Sequence, residues 1–560
     1  MGLAIRSARL IALGALVVAS ACTRVETSTS EGGGTTAVNG EAKPAASRHP
    51  WTVPDTVRVA MPGNVNTLNP ILSTQQTEAM VESFVFDPLI ATDPEGNDVP
   101  VLAAVVPTLE NGGISADGKA ITYHLRHGVK WHDGAPFTSR DVAFSFAAIM
   151  NPNTAVTTRH GYDLVARVET PDAYTAVVRL KRPFAPAVHT FFAHSDAPYM
   201  ILPAHLLAKD SDLNHVPFNG QPVGTGPFKF VRWLRGDRLE FAANDDYALG
   251  RPKLRRVVVN FIADENTIIN QVRAHEIDWF FQATPKSYPQ LKQIPNIVVH
   301  LVPFNGMDSI MFNTVRPPFD DPRVRVAVAL ALDKRKIVDD VTYGSAVPAT
   351  EDLPSFMWAF DPTAGTSVRD LPRAKALLDA AGWKVGPDGI RTKNGSRLAA
   401  ELSYRTESVT DRNLAVLIAA MLHDAGIEAN LKSYTTALLY GPAGVGIQAT
   451  GKFQMSLQTW YAGVDPDDSS QLMCQYRPPN GYDWSRYCEP AMDAAQETAL
   501  NHYDRPTRKR AYSTIQHLLA RDAPYAYLWW PRQIEAVNDD LRNFRPNGII
   551  ENWNSWQWSI

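Results

Sequence analysis

Residues 121–146, ITYHLRHGVKWHDGAPFTSRDVAFSF, carry several structural signals that agree with one another. Ile121, Tyr123 and Leu125 alternate with polar neighbours, the pattern of a half-buried strand. The strand is expected to run through Val129 and Trp131 to Asp133-Gly134, a pair suited to positive φ, and Pro136 then ends ladder pairing. Thr138 and Asp141 form a T-x-x-D capping pattern, and Val142, Phe146, Ile149 and Met150 recur at helical spacing behind it. The stretch is therefore strand, tight turn and capped helix. His127 and His132 have no Cys, Asp or His at metal-ligand spacing, so both are read as structural hydrogen-bonding residues.

Residues 126–145, R-x-G-V-K-W-H-D-G-x-P-F-T-x-x-D-V-x-F-S, resemble the signature of family 5 solute-binding proteins, the peptide-binding components of ABC importers. Further resemblance lies in T-L-N-P at 67–70, L-I-A-T at 89–92, PVGTGPF at 222–228 and DPRVRVAVALALDKRKIV at 321–338. The resemblance implies an α/β, two-lobed periplasmic-binding-protein-like (type II) fold with an extra small α/β domain in the first lobe. The expected division is 1–21 signal peptide, 22–50 lipidated tether, 51–95 with 206–300 and 536–560 as lobe I, 96–205 the inserted domain, and 301–535 lobe II. Gly224 and Gly226 lack the Lys-Ser/Thr and helix start of a phosphate loop and are read as a tight crossing between lobes.

A chain of 560 residues is too long for one ordinary domain. Its net charge of −4, from 54 Lys and Arg against 58 Asp and Glu, argues against nucleic-acid binding or charge-driven membrane binding. Thirteen Trp, 18 Tyr and 41 Pro suit ordered loops around a large cleft for a small molecule. The N-terminus reads as a secretory signal: Arg6 and Arg9 precede the apolar run Leu10–Val18, and Ala19, Ser20 and Ala21 lead to Cys22. Small residues before a Cys resemble a bacterial lipobox, with Ala19 a departure from its usual Leu or Val, so Cys22 is read as the lipid-bearing residue. Residues 23–47, rich in Thr, Ser, Gly and Ala, are read as a tether. The chain is thus expected outside the cytoplasm, anchored by lipid to the bacterial membrane. Export leaves Cys474 and Cys488, which in an oxidising compartment are expected to form a disulfide rather than half of a metal site.

In the second lobe, strands at 398–404 and 428–434 flank a helix at 413–425 that ends at Gly426, a β-α-β unit. Strands are expected at 453–460 and 524–530, helices at 322–332, 372–381 and 506–521, and a loop at 461–470, YAGVDPDDSS.

No H-E-x-x-H, G-x-S-x-G, P-loop or Cys-His arrangement is present, and Asp465, Asp467 and Asp468 sit in one loop, so an enzyme is not expected. The D-P-D-D run also lacks the alternating ligands and Gly of an EF-hand loop, and no metal or cofactor is expected. In the resembled family the strand ending at Trp460 and its loop meet the ligand, and dipeptide binders place an ammonium-binding Asp three residues after that Trp. Here the position is Gly463, so Asp465 is the candidate substitute, with Trp460 and Tyr461 facing the ligand and Arg405 the candidate for its carboxylate. The segment C-Q-Y-R-P-P-N-G-Y-D-W-S-R-Y-C-E-P nevertheless resembles the dipeptide binders. The expected function is peptide capture in an interlobe cleft by a monomer, with delivery to ABC permease and ATPase subunits. The alternatives are an oligosaccharide, stacked on Trp460, Tyr461, Trp529 and Trp530, or a sensor or chaperone lipoprotein.

Overall fold

The chain was analysed as a computed structural model that describes residues 48–73, 75–193, 199–365, 368–442 and 444–560. The signal peptide, Cys22 and nearly all of the tether lie outside the described residues.

The 121–146 stretch folds around its cap. Asp141 accepts a hydrogen bond from the Thr138 backbone N–H at 2.8 Å, completing a capping box at the start of the helix Ser139–Met150. The strand is shorter than its pattern suggests, Ala120–His124, because Gly128 turns the chain at φ 77°. Trp131 is buried in the turn beyond it, where Gly134 stands at φ 93°. Ala120–His124 pairs antiparallel with Thr175–Leu180, which pairs with Val165–Asp172. The hairpin of Ile90–Thr92 with Asp98–Pro100 straddles residues 95 and 96, so the expected start of the inserted domain falls inside a paired unit.

His127 stacks on Tyr174, and the His132 ring contacts the Gly226 carbonyl at 2.9 Å; burial pushes His132 down to about 4, so it is neutral. The crossing at Gly224 and Gly226 is indeed tight, but it lies within the first lobe rather than between the lobes. A Cβ at Gly224 would stand 1.9 Å from the Val85 carbonyl oxygen. The Gly226 and Phe228 N–H groups donate to the carbonyls of Val85 and Phe84 at 2.8 Å each. That pairing takes the chain out of helix beyond Gln76–Glu82.

Two large sheets carry the lobes. The first has seven strands, in spatial order Ile297–Pro303, Arg532–Asn538, Trp279–Ala283, Thr56–Met61, Arg256–Phe261, Arg238–Ala243 and Phe228–Leu234. The second has six, Val347–Pro348, Tyr525–Trp530, Gly306–Phe312, Met455–Tyr461, Ala399–Arg405 and Glu428–Tyr434. Ala399–Arg405 and Glu428–Tyr434 run parallel, joined by the helix Val409–Asp424, as the β-α-β reading requires. The disulfide Cys474–Cys488 is present.

The same two chain segments build both sheets. Ile297–Pro303 lies antiparallel to Arg532–Asn538 in the first sheet, and Gly306–Phe312 lies antiparallel to Tyr525–Trp530 in the second. Between them stand only Phe304-Asn305 on one segment and Pro531 on the other. Proline lacks an N–H, so the ladder breaks where the chain passes from lobe to lobe. The expected second boundary at 535/536 therefore moves to Pro531, because Arg532–Asn538 belongs to the first-lobe sheet.

Candidate functional site

A cavity of about 320 Å³ lies at this crossing, walled by both lobes. Gln282, Ala283, Arg532 and Gln533 contribute from the first-lobe sheet and its edge. Asp308, Arg405, Asp411, Tyr440, Thr459 and Tyr461 contribute from the second. Gln282 stands at φ 52° where the register of its strand with Arg532–Asn538 shifts, a bulge at the cavity wall. Its side-chain amide is held by Glu551 at 3.1 Å.

The charges on the wall sort into one closed pair and two groups without an ionic partner. Arg405 donates from Nε and Nη2 to the two oxygens of Asp411, each at 2.7 Å, a bidentate pair. Asp308 accepts from the Thr459 hydroxyl at 2.6 Å and takes part in no ion pair among the described residues. Burial pushes its carboxyl up to about 7 against the opposing pull of the Thr459 hydrogen bond and the Arg405 charge. Arg532, half-buried, has neither an ion pair nor a side-chain hydrogen bond among the described residues, and burial lowers its affinity for the proton. Tyr440 is pushed up to about 12 by burial and serves as a neutral hydroxyl, while Tyr461 is 57% exposed.

Of the expected site residues, Arg405 and Tyr461 line this cavity; Trp460, Gly463 and Asp465 do not. Trp460 packs beside Tyr482 with the second-lobe core. The carbonyl of Gly463 accepts a hydrogen bond from the Asn305 amide at the crossing. Asp465 corrects the sequence reading most sharply. It is 8% exposed, and its oxygens accept from Arg508 Nη1 and Nη2 at 2.8 and 2.5 Å, with His189 Nδ1 at 3.6 Å. A carboxylate so enclosed and so neutralised has no face left for a ligand ammonium. The aromatic platform is also reduced: Trp529 lines the cavity, but Trp530 is buried elsewhere with its indole N–H on the Glu351 carbonyl at 3.0 Å.

The sequence reading missed Asp308 and Arg532. A signal for Asp308 existed, since in the strand GMDSIMF it shares a face with Ile310 and Phe312, both wholly buried, and an acid on a core face needs a reason. Arg532 had none, being one arginine among many until the fold sets it beside the crossing.

Residues 87–483 match the family described as bacterial extracellular solute-binding proteins, family 5 Middle. The chain is 26% identical over 536 residues to the oligopeptide-binding protein AppA of Bacillus subtilis, covering 94% of this chain and 95% of that protein. It is 29% identical over 479 residues to di/tripeptide-binding protein 2 of Pseudomonas aeruginosa, covering 80% and 85%. The structure of Bacillus subtilis AppA in complex with a nonapeptide superposes with a TM-score of 0.72 at 25% identity, covering 90% of this chain and 98% of that one. With a cavity between two lobes and a family match over most of its length, the chain belongs to the family 5 bacterial extracellular solute-binding proteins.

Proposed function

We propose that this chain is the extracytoplasmic substrate-binding protein of an ABC importer, capturing a short peptide in the interlobe cavity and passing it to a membrane permease driven by an ATPase. The observation that carries the reading is the charge pattern of the wall. Arg405 and Asp411 cancel each other, which leaves one carboxyl, Asp308, on the second lobe and one guanidinium, Arg532, at the edge of the first. That is the complement of a zwitterion, with an ammonium for Asp308 and a carboxylate for Arg532. Asp308 pairs with Trp529 in the sheet, and Arg532 follows three residues later, so the two backbones are about 10 Å apart along the strand. A volume of about 320 Å³ is at the small end of ligand pockets, which favours a peptide of a few residues over a long one. The names of the relatives, an oligopeptide-binding and a di/tripeptide-binding protein, support the same class.

A ligand that touches both lobes gains its full set of contacts only when they are closed, and so shifts the population toward the closed form. The short links at Phe304-Asn305 and Pro531 are where such closure would bend. Cys22 is the proposed lipid anchor, and the protein is proposed to act as a monomer.

Calorimetric titration with di- to tetrapeptides, alongside N-acetylated and C-amidated forms, tests the reading. Free peptides are expected to bind, and blocking either end to weaken binding. Arg532→Gln is expected to weaken free peptides and to leave C-amidated ones as they were. Oligosaccharide binding with no peptide binding would overturn peptide capture, and a Cys22→Ala protein still fractionating with membranes would remove the anchor.

A further inference from the structure

Three glutamines, Gln76, Gln282 and Gln533, line the cavity from the first lobe, and two acids that do not line it, Glu535 and Glu551, lie fully buried behind them. Glu551 Oε1 accepts from the side-chain nitrogens of Gln282 and Gln76, at 3.1 and 3.5 Å. Glu535 accepts the indole N–H of Trp279 at 2.6 Å and the backbone N–H of Gln282 at 3.3 Å. Gln282 is thus held at two points, main chain and side chain, at the bulge where it stands at φ 52°.

These contacts set which end of each amide is left for a ligand. A side-chain amide has a donor end and an acceptor end, and an acceptor oxygen behind it attracts only the donor. Burial raises the Glu551 carboxyl, whose Oε2 has no hydrogen-bond partner among the described residues; with a proton on Oε2 or without one, Oε1 stays an acceptor. With their nitrogens turned to Glu551, Gln76 and Gln282 keep only their oxygens to offer. Gln533 adds an independent observation. Two positions from Glu535 on the strand Arg532–Asn538, it shares that residue's face, and its side-chain oxygen is buried without a donor. A buried acceptor left unpaired is costly, so this wall is short of N–H groups.

Resting on the peptide reading above, we propose that Glu551 is a positioning residue for specificity: by holding the nitrogens of Gln76 and Gln282 it turns their oxygens to the cavity, and the first lobe thereby reads the backbone N–H groups of a peptide. A peptide N–H can only donate, which matches a wall of acceptors. The ester oxygen that replaces it in a depsipeptide can only accept, and it leaves the glutamine oxygen facing it unpaired. The work is then divided: Asp308 and Arg532 meet the two ends of the ligand, and the glutamines meet the chain between them. Buried acids that fix the amides in one orientation spare the ligand that ordering cost.

The test is calorimetric titration of the full-length protein with the tightest-binding free tripeptide of the di- to tetrapeptide panel, beside its two depsipeptide counterparts, in which one or the other backbone N–H is replaced by oxygen. Wild type is expected to bind at least one counterpart about tenfold more weakly or worse. In Gln282→Met and Glu551→Met that ratio is expected to shrink to about threefold or less, while Glu551→Gln, which keeps an acceptor oxygen for both amides, is expected to retain it. Melting curves show whether each variant folds, and Gln282→Met decides the matter alone if Glu551→Met does not. Equal affinity of wild type for the peptide and both depsipeptides would overturn the inference. So would a wild-type ratio preserved in Gln282→Met, or in a folded Glu551→Met, while overall affinity falls, which marks a merely structural role. In both of those results peptides still bind and peptide capture stands; failure of every free peptide to bind would overturn the two together.

Discussion

Replacing Arg508 with methionine is expected to destabilise the second lobe by about 3–5 kcal/mol, the usual result of removing one partner of a buried ion pair. Arg508 and Asp465 are each 7% exposed in their side chains, and Arg508 also donates from Nε to the Ala499 carbonyl at 3.0 Å. Burial alone would raise the Asp465 carboxyl, but the charge and hydrogen bonds of Arg508, with the nearby His189, outweigh it and hold it well below the usual carboxylate range. Without the guanidinium, Asp465 would keep only His189 as a cation. A denaturant series should show the lowered midpoint, and the double variant Arg508→Met with Asp465→Leu should recover most of the loss, since the stranded charge is then gone. The same network makes stability depend on pH from both sides. The Asp465 contribution is present above its ordinary pKa near 4 and is lost as pH falls toward its depressed native value. His189 also faces Asp98 at 2.7 Å; burial opposes its charge, but the carboxylates of Asp465 and Asp98 raise it to about 9. Its contribution is full below about 6.5 and is lost as pH rises through 9.

This network spans the lobes. His189 belongs to the inserted domain, in the helix Ala187–Thr190, while Asp465 and Arg508 belong to the second lobe. The Ala185 N–H donates to the Leu500 carbonyl at 2.7 Å, and the Tyr503 hydroxyl donates to the Gly118 carbonyl at 2.9 Å. Met473 and Leu500 join the first-lobe core. The two lobes are therefore joined at a second place away from the cavity, and Asp465, expected from the sequence to hold an ammonium, is taken up in that contact instead.

What the sequence made legible was local. The capping box at Thr138, the strand at 428–434 and the helix stop at Gly426 are each set by neighbours within a few positions, and the structure reproduces them. Partners far apart in sequence were not legible. Nothing in the D-P-D-D run reveals that its first acid is claimed by an arginine 43 positions on. Arg405 was singled out for a ligand carboxylate, yet Asp411, six positions away, occupies both arms of its fork. The helix Pro490–Asn501 also went unremarked, although Glu489 caps it and proline opens it.

Asp308→Asn is expected to weaken binding of short peptides by about 2–5 kcal/mol, thirtyfold or more, if Asp308 receives the ligand ammonium. The substitution keeps the shape of the side chain and the hydrogen bond with Thr459, so the loss should report charge alone. The pH dependence separates this from a structural effect. With its carboxyl at about 7 in the free protein, Asp308 must give up a proton before it can pair with an ammonium at lower pH. Affinity should therefore rise from pH 5 to 7 by about tenfold per unit, and fall again above about 8, where a peptide α-amine loses its own proton. In Asp308→Asn the acid limb should vanish. N-acetylated peptide should bind wild type and variant alike, because neither then has a charge pair to lose, and a double-mutant cycle with the blocked ligand isolates the pair's own contribution. Equal weakening of free and acetylated peptides with the acid limb intact would remove Asp308 from the ammonium site while leaving peptide capture standing.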